Sequence, residues 1–447
     1  MKEIVLFGAG KSASSLIKYL SVLCSEKHWH LTVCDQNLEA LKKKVSESEF
    51  VSVKEVNVED QEHRASTIIP ADIVISMVPA FLHFIIAEEC LTQGKNLLTA
   101  SYIDEASKSL AERIKAKGLL FLYEMGLDPG IDHMSAMRII DEIKLKGGEI
   151  RSFKSHCGGL VAPESDDNPW HYKVSWNTRN IVLAGKDGAV YKENGKNVEI
   201  PYSGSHGIFR NNQIVNIESL PDLGWYANRN SLSYIDIYNL PEASTFIRTT
   251  LRYPSFNRGW GKLVNMGLTS TDDFNLIKDC KSYFEWFTVK MKPYSENETS
   301  WNSYLHLYVT DPNKGEFDKQ IAFLGLQSKE VIPISFTCSA DIMQDILEKK
   351  LSLKPEDRDM VVMLHEFEYS LNNVVNKLSS SLIVKGDNAV DTAMAKTVGL
   401  PLGIATKLIL EGAVNETGLH IPIIKEIYGP VLEELEVNGI RFVEIED

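Results

Sequence analysis

The sequence predicts an α/β fold: a doubly wound parallel sheet, then a second α/β domain that carries a helical insertion. Three observations lead there. The chain opens on a short apolar run, Ile4–Phe7, that ends in Gly8-Ala-Gly10-Lys-Ser-Ala13 and passes into Leu16, Ile17 and Leu20 at helical spacing, which reads as strand, glycine turn and helix. Short apolar runs recur at Leu31–Cys34, Val51–Val58, Asp72–Ser76, Asn96–Ala100 and Leu119–Tyr123, and their near-continuous apolar character is that of parallel strands covered on both faces. After Gly147-Gly148 the texture changes to hairpins, so another sheet begins.

The elements follow in order. The first strand and its glycine turn are of Rossmann type, and Asp35 closes the second strand 25 residues after Gly10, where such units place an acidic residue. Helical segments at Phe81–Leu91 and Glu105–Lys117 separate the later strands. Beyond the sixth strand, Asp128-Pro129-Gly130 sets proline and glycine where a type II turn wants them,. The helix Ile131–Lys146 follows, with Ile131, Met134, Met137 and Ile140 on one face,. In the second domain Asn194-Gly195 turns a hairpin over Val190–Val198, with Glu193 facing Lys196,. A second antiparallel pair is expected from Asp359–Glu368 and Leu378–Lys385, and 243–327, mixed and richer in helical patterns, reads as an insertion.

Composition narrows the function. With 447 residues the chain exceeds the size of a single core,. Its 61 acidic against 47 basic residues give a net charge of −14, which repels a phosphate backbone and argues against nucleic acid as partner. An acidic small ligand would therefore need its own arginines. The six cysteines are scattered without zinc-ligand spacing, which suits a reduced cytoplasm. The N-terminus runs directly into the first strand, leaving no room for a signal peptide, and no apolar run approaches a membrane span,.

Several residues are candidates for chemistry. Gly8, Gly10 and Ala13 form the G-x-G-x-x-A fingerprint, in which the glycines let the backbone approach a pyrophosphate at a helix N-terminus,. Asp35 can accept from ribose hydroxyls and would repel a 2′-phosphate, which favours NAD over NADP; Lys42–Lys44 is the basic run that could fold back toward a phosphate. Asp128 lies beyond the carboxyl end of a strand, where open α/β sheets bind ligands, and Thr99-Ala-Ser-Tyr102 follows the fifth strand toward the same edge,. Cys157-Gly158-Gly159 ends a strand-like run where the glycines would admit a ligand to the backbone. His133 and His156 read as structural.

These residues carry a resemblance. Thr99–Ile103, Gly126–Met134, Cys157–Glu164, Asn168-Pro169, Tyr172–Trp176, Asn228-Arg229, Thr250–Tyr253, Ala393–Pro401 and Lys425–Pro430 resemble the glutamate-forming saccharopine dehydrogenases, also called saccharopine reductases, nearly end to end. The resemblance implies a Rossmann domain at 1–126 and 393–447, an α/β catalytic and dimerisation domain at 127–240 and 335–392, and a mainly helical insertion at 241–334. It implies a homodimer that converts saccharopine, NAD(P)+ and water to 2-aminoadipate 6-semialdehyde, glutamate and reduced cofactor. Cofactor contacts would fall on Gly8, Gly10, Ala13, Asp35, Val78, Pro79, Ala100, Met125, Gly126, Leu127 and Pro129. Substrate contacts would fall on Ser101, Tyr102, Asp128, Cys157, Gly158, Trp176, Arg229, Thr250 and Arg252, with Asp128, Tyr102 and Cys157 the titratable catalytic candidates, Asp128 first. No metal is implied. No function is carried from the family onto Leu364–Asn376, where its pattern gives no clear alignment. Competing readings are a carboxynorspermidine or related polyamine dehydrogenase and a non-catalytic NAD-binding regulator.

Overall fold

The structure, a computed structural model, describes residues 1–210, 213–294, 311–333 and 335–446. Contacts divide the chain into two units, Met1–Ile150 with Tyr369–Asn376 and Leu382–Asp447, and Arg151–Glu368 with Lys377–Ser381.

In the first unit the strands are β1 (Glu3–Phe7), β2 (His30–Asp35), β3 (Val51–Glu55), β4 (Ile73–Ser76), β5 (Asn96–Thr99) and β6 (Leu120–Leu122). The helices are α1 (Ser14–Lys27), α2 (Leu38–Lys44), α3 (Gln61–Ile68), α4 (His83–Gln93), α5 (Glu105–Lys108), α6 (Ala111–Ala116) and α7 (Ile131–Leu145). The sheet runs β6-β5-β4-β1-β2-β3, extended past β6 by the strand Gly418–His420. All of these pairings are parallel. The strand order reverses between β1 and β4, the switch point at which such sheets open a crevice. Ile4, Val5, Leu6 and Phe7 are all buried, as helices on both faces require,.

Local chemistry sets the boundaries. Asn37 caps α2 by accepting from Ala40 N–H at 2.9 Å, and Lys42, Lys43 and Lys44 sit in its last turn against the negative end of the helix dipole,. The expected single helix over Glu105–Lys117 is divided: Asp104 caps α5 through Ser107 N–H at 2.7 Å, and the chain restarts at Ala111. The helix Ala393–Glu411 is long and apolar enough to cross a membrane, which the sequence reading overlooked, but most of it is buried inside this unit. It packs on α1. A Cβ on Gly399 would stand 2.8 Å from Leu16 N, and one on Gly403 2.5 Å from the Tyr19 ring, so the two helices need glycine at both crossings.

The second unit is built on a mixed sheet. Its strands include β7 (Glu149–Val161), β8 (Ala189–Glu193), β9 (Lys196–Ile200), β10 (Gln213–Val215), β11 (Leu223–Ala227), β12 (Arg229–Asn230) and β13 (Thr245–Arg252). β13 lies between β11, antiparallel to it, and β7, parallel to it. The stretch 241–334, expected to be mainly helical, thus begins with a central strand; helices at Pro254–Asn265, Tyr283–Met291 and Lys314–Leu324 follow it. Phe246, Ile247, Thr249 and Leu251, from both faces of β13, are all buried, so the strand shows no period-2 alternation,. The β8–β9 hairpin turns through Asn194 and Gly195, both left-handed at φ 50° and 78°, and pairs Glu193 with Lys196. β14 (Asp359–Leu371) and β15 (Val374–Lys385) join through Asn372 and Asn373, again both left-handed, so Leu364–Asn376 is strand and hairpin turn.

Candidate active site

The glycine turn leaves β1 at the switch point. Gly8 has φ 97°, and a Cβ there would lie 2.6 Å from the Met77 carbonyl leaving β4, so the chain segment before Val78 and Pro79 packs directly against it. Gly10 is the reverse case: nothing lies within 4 Å of its Cβ position. The first helical turn behind it, Lys11–Ala13, has no side-chain cap and no acidic residue. Open space in front of uncapped N–H groups fits a pyrophosphate, which Gly8, Gly10 and Ala13 would hold. Asp35 does not stand free for a ribose: its Oδ2 accepts from Ala9 N–H at 2.9 Å and its Oδ1 from Asn37 N–H at 3.3 Å. Lys44 folds back from α2 onto the turn, its Nζ bonded to the carbonyl of Ala9 at 2.7 Å and to that of Gly10. Burial lowers the Lys44 pKa and Asp35 opposes that shift.

At the carboxyl edge of β5 and β6 two loops are stitched together. Met125 N–H donates to Thr99 O and Glu124 N–H to Ser101 O, both at 3.0 Å. Tyr102 Oη donates to Asp128 Oδ1 at 3.3 Å, and both side chains are half-buried. The Asp128–Pro129 peptide is cis, in the stretch that the sequence reads as a type II turn. The backbone of Gly126 grips this turn from both sides, its N–H on Pro129 O at 3.0 Å and its carbonyl accepting from Ile131 N–H at 2.9 Å. Gly126 also abuts Ala100, whose Cβ is 2.9 Å from where a Gly126 Cβ would be. Met125, Leu127 and Pro129 are buried, whereas Ala100, Ser101, Tyr102 and Asp128 are half-buried at the edge.

Two groups here were not marked in the sequence. Glu124, buried at φ 56°, accepts from Ile103 N–H at 3.2 Å through Oε1, and its Oε2 meets His133 Nε2 at 2.8 Å, so one carboxylate ties the Tyr102 loop to α7. His83, at the start of α4, lies between Ser76 Oγ at 2.7 Å and Ser101 Oγ at 2.6 Å. No sequence spacing announces either contact, because each partner lies on a different element.

In the second unit, β7 and β13 place Cys157 opposite Thr250. Cys157 is buried, and a Cβ on Gly158 would stand 2.4 Å from Leu251 O, so this glycine is required by the close approach of β13. His156 is held by Thr249 Oγ1 at 2.7 Å and Glu366 at 3.0 Å, and that contact keeps the Glu366 carboxyl below its ordinary pKa. Trp176 is half-buried and donates from Nε1 to Tyr172 Oη at 3.1 Å. Arg229 is exposed, at φ 50° in β12. Arg252 is the unusual residue. It is 3% exposed, bonds Leu251 O at 2.7 Å through Nη1, and has its guanidinium carbon 5.2 Å from the Tyr172 ring centre and 5.9 Å from that of Phe256. Its Nε has no hydrogen-bond partner and no carboxylate pairs with it among the described residues.

Two family models cover almost the whole chain: the saccharopine dehydrogenase NADP binding domain matches residues 4–122 and the saccharopine dehydrogenase C-terminal domain residues 126–440. The chain belongs to the saccharopine dehydrogenase family. Among relatives, the saccharopine dehydrogenase [NADP(+), L-glutamate-forming] of Schizosaccharomyces pombe is 30% identical over 99% of both chains. The mitochondrial alpha-aminoadipic semialdehyde synthase of Rattus norvegicus is 33% identical over 99% of this chain and 47% of its own length, so the chain spans about half of that relative. Apo saccharopine dehydrogenase (L-Glu forming) from Saccharomyces cerevisiae superposes with a TM-score of 0.86 at 30% identity, covering 100% of both chains. These findings overturn the preference for NAD drawn from Asp35, since the matched domain is an NADP binding domain and the fungal relatives are named for NADP(+). The physical reason lies in the saccharopine dehydrogenase turn itself, where backbone N–H groups occupy the Asp35 carboxylate and Lys44 brings a cation to the same place.

Proposed function

We propose that the chain oxidises the secondary amine of saccharopine with NADP+ and water, giving 2-aminoadipate 6-semialdehyde, glutamate and NADPH, reversibly. The observation that carries the reading is the Tyr102–Asp128 hydrogen bond at the carboxyl edge of the dinucleotide-type sheet. A bound nicotinamide would supply the hydride acceptor for the carbon that bears the amine. That step needs a neutral nitrogen with its lone pair free, and Asp128 is the group that takes the proton. The Tyr102 hydroxyl orients the carboxylate and shares its charge, and Asp128 returns the proton as the glutamate nitrogen departs. General acid-base help of this kind is worth about a hundredfold to ten-thousandfold. Gly8, Gly10, Ala13 and Lys44 hold the phosphates of the dinucleotide.

Arg252 supports the substrate class. A buried guanidinium without a carboxylate is costly unless a ligand supplies one, and a planar two-pronged donor suits the carboxylates of saccharopine. A cationic polyamine would meet the wrong charge there, and a non-catalytic regulator would have no use for the Tyr102–Asp128 pair. Initial rates with saccharopine and either NADP+ or NAD+, followed by absorbance of the reduced nicotinamide, test the reading. Faster reduction of NADP+ is expected; silence with both would discard it.

A further inference from the structure

We propose that His83 is a positioning residue that holds the Ser101 hydroxyl as a donor: its ring carries the proton on Nε2, gives it to Ser101 Oγ, and so turns the Ser101 proton outward toward a substrate carboxylate. This rests on the reading of Ser101 as a substrate contact.

The direction of the chain of hydrogen bonds follows from its buried end. Ser76 is 1% exposed, and the only hydrogen-bond partner of its Oγ among the described residues is His83 Nδ1, at 2.7 Å. A buried hydroxyl proton left without an acceptor is expensive, so Ser76 donates and Nδ1 accepts. Thr99 agrees. Its Oγ1 already accepts from Ser101 N–H at 3.3 Å and lies 3.5 Å from the same Nδ1, so its proton also faces that nitrogen. Burial pushes His83 down to about 4, against the pull of the Asp104 carboxylate, which leaves a neutral ring with one N–H near pH 7,. With Nδ1 accepting, that N–H is on Nε2, 2.6 Å from Ser101 Oγ. Ser101 therefore accepts from the ring, and its own proton is left for a partner at the half-buried edge beside Tyr102. Serine donors aligned in one direction strengthen one another and favour an anionic acceptor over an ammonium.

The first test is the tautomer in the full chain. Protein labelled with 15N in its eleven histidines, read by long-range proton–nitrogen correlation, should give His83 a protonated Nε2 and an unprotonated Nδ1, with the assignment made by the signal lost in His83→Gln. The opposite tautomer overturns the proposal; the tautomer itself is read in the unaltered chain, and a variant serves only to assign the signal. The second test is kinetic. Ser101→Ala should raise KM for saccharopine by about tenfold or more. His83→Leu should do nearly the same while NADPH affinity stays constant, and His83→Gln, whose amide N–H can stand in for Nε2–H, should recover most of the loss. An unchanged KM in His83→Leu beside an impaired Ser101→Ala would refute the role of His83 alone; an unchanged KM in Ser101→Ala would remove the substrate contact on which it rests.

Discussion

Replacing Arg252 by methionine should separate binding from stability. The guanidinium is 3% exposed and has no carboxylate partner among the described residues, so the folded protein carries a desolvation cost of several kcal/mol,. Against it stand one hydrogen bond to Leu251 O, about 1.5 kcal/mol, and contacts over the Tyr172 and Phe256 rings, about 1 kcal/mol each,. The two sides nearly cancel. Methionine fills much of the same volume without a charge, so stability should change by no more than about 1 kcal/mol, a few degrees in Tm. Binding has no such compensation. Losing one member of a buried carboxylate–guanidinium pair costs about 2 to 5 kcal/mol, roughly thirtyfold to several thousandfold in kcat/KM. Initial rates over a saccharopine series and thermal melting of the same preparation read both quantities. If Arg252→Met melts more than about 10 °C lower while KM is unchanged, the arginine is a structural brace, and the argument from its unpaired charge is wrong.

Other outcomes follow from the same geometry. Asp128→Asn should keep substrate affinity and lose about a hundredfold to ten-thousandfold in kcat; nearly unchanged turnover would show that water carries the protons. Lys44→Ala should weaken NADPH binding, measured by nicotinamide fluorescence, by about tenfold and NADH binding far less, and equal losses would place Lys44 in the turn for structure alone. The lowered pKa of His83 makes stability depend on pH. The folded ring titrates near 4 and the unfolded one near 6.5, so the full contribution is present above 6.5 and is lost as pH falls toward 4, up to about 3 kcal/mol,. Urea unfolding at pH 7.5 and at pH 4.5 should show His83→Gln losing less over that window than the unaltered chain, and parallel losses would mean that other groups set the acid limb.

The first unit was legible because its signals are local. A strand, a glycine turn and a helix announce themselves within a dozen residues, and strands buried on both faces are apolar throughout. Asn194-Gly195 needed no more than two residues to specify its hairpin. β13 was concealed because it lies at the centre of a sheet and packs on both sides, where arginines and threonines interrupt the apolar pattern without being exposed. The split between α5 and α6 was hidden for a different reason, since the apolar spacing continues across Ser109 and Leu110 and no side chain caps the start of α6.

The site shows where reading charges from a sequence goes astray. In the sequence Asp35 reads as a free carboxylate and so as a barrier to a 2′-phosphate, yet a charge repels only to the extent that nothing nearby neutralises it. Two backbone N–H groups and the approach of Lys44 change its meaning, and all three belong to the fold of the turn. His83 is the converse. As a lone histidine on a helix it looks inert, and only the meeting of β4, β5 and α4 gives its ring a hydroxyl on each nitrogen. Arg252 falls between the two: the chain's net negative charge calls for arginines wherever an acidic ligand binds, but which arginine serves depends on which one the fold leaves buried without a carboxylate. What distinguishes a functional charge from a structural one is therefore its unmet pairing in the folded chain, a quantity that no single residue carries.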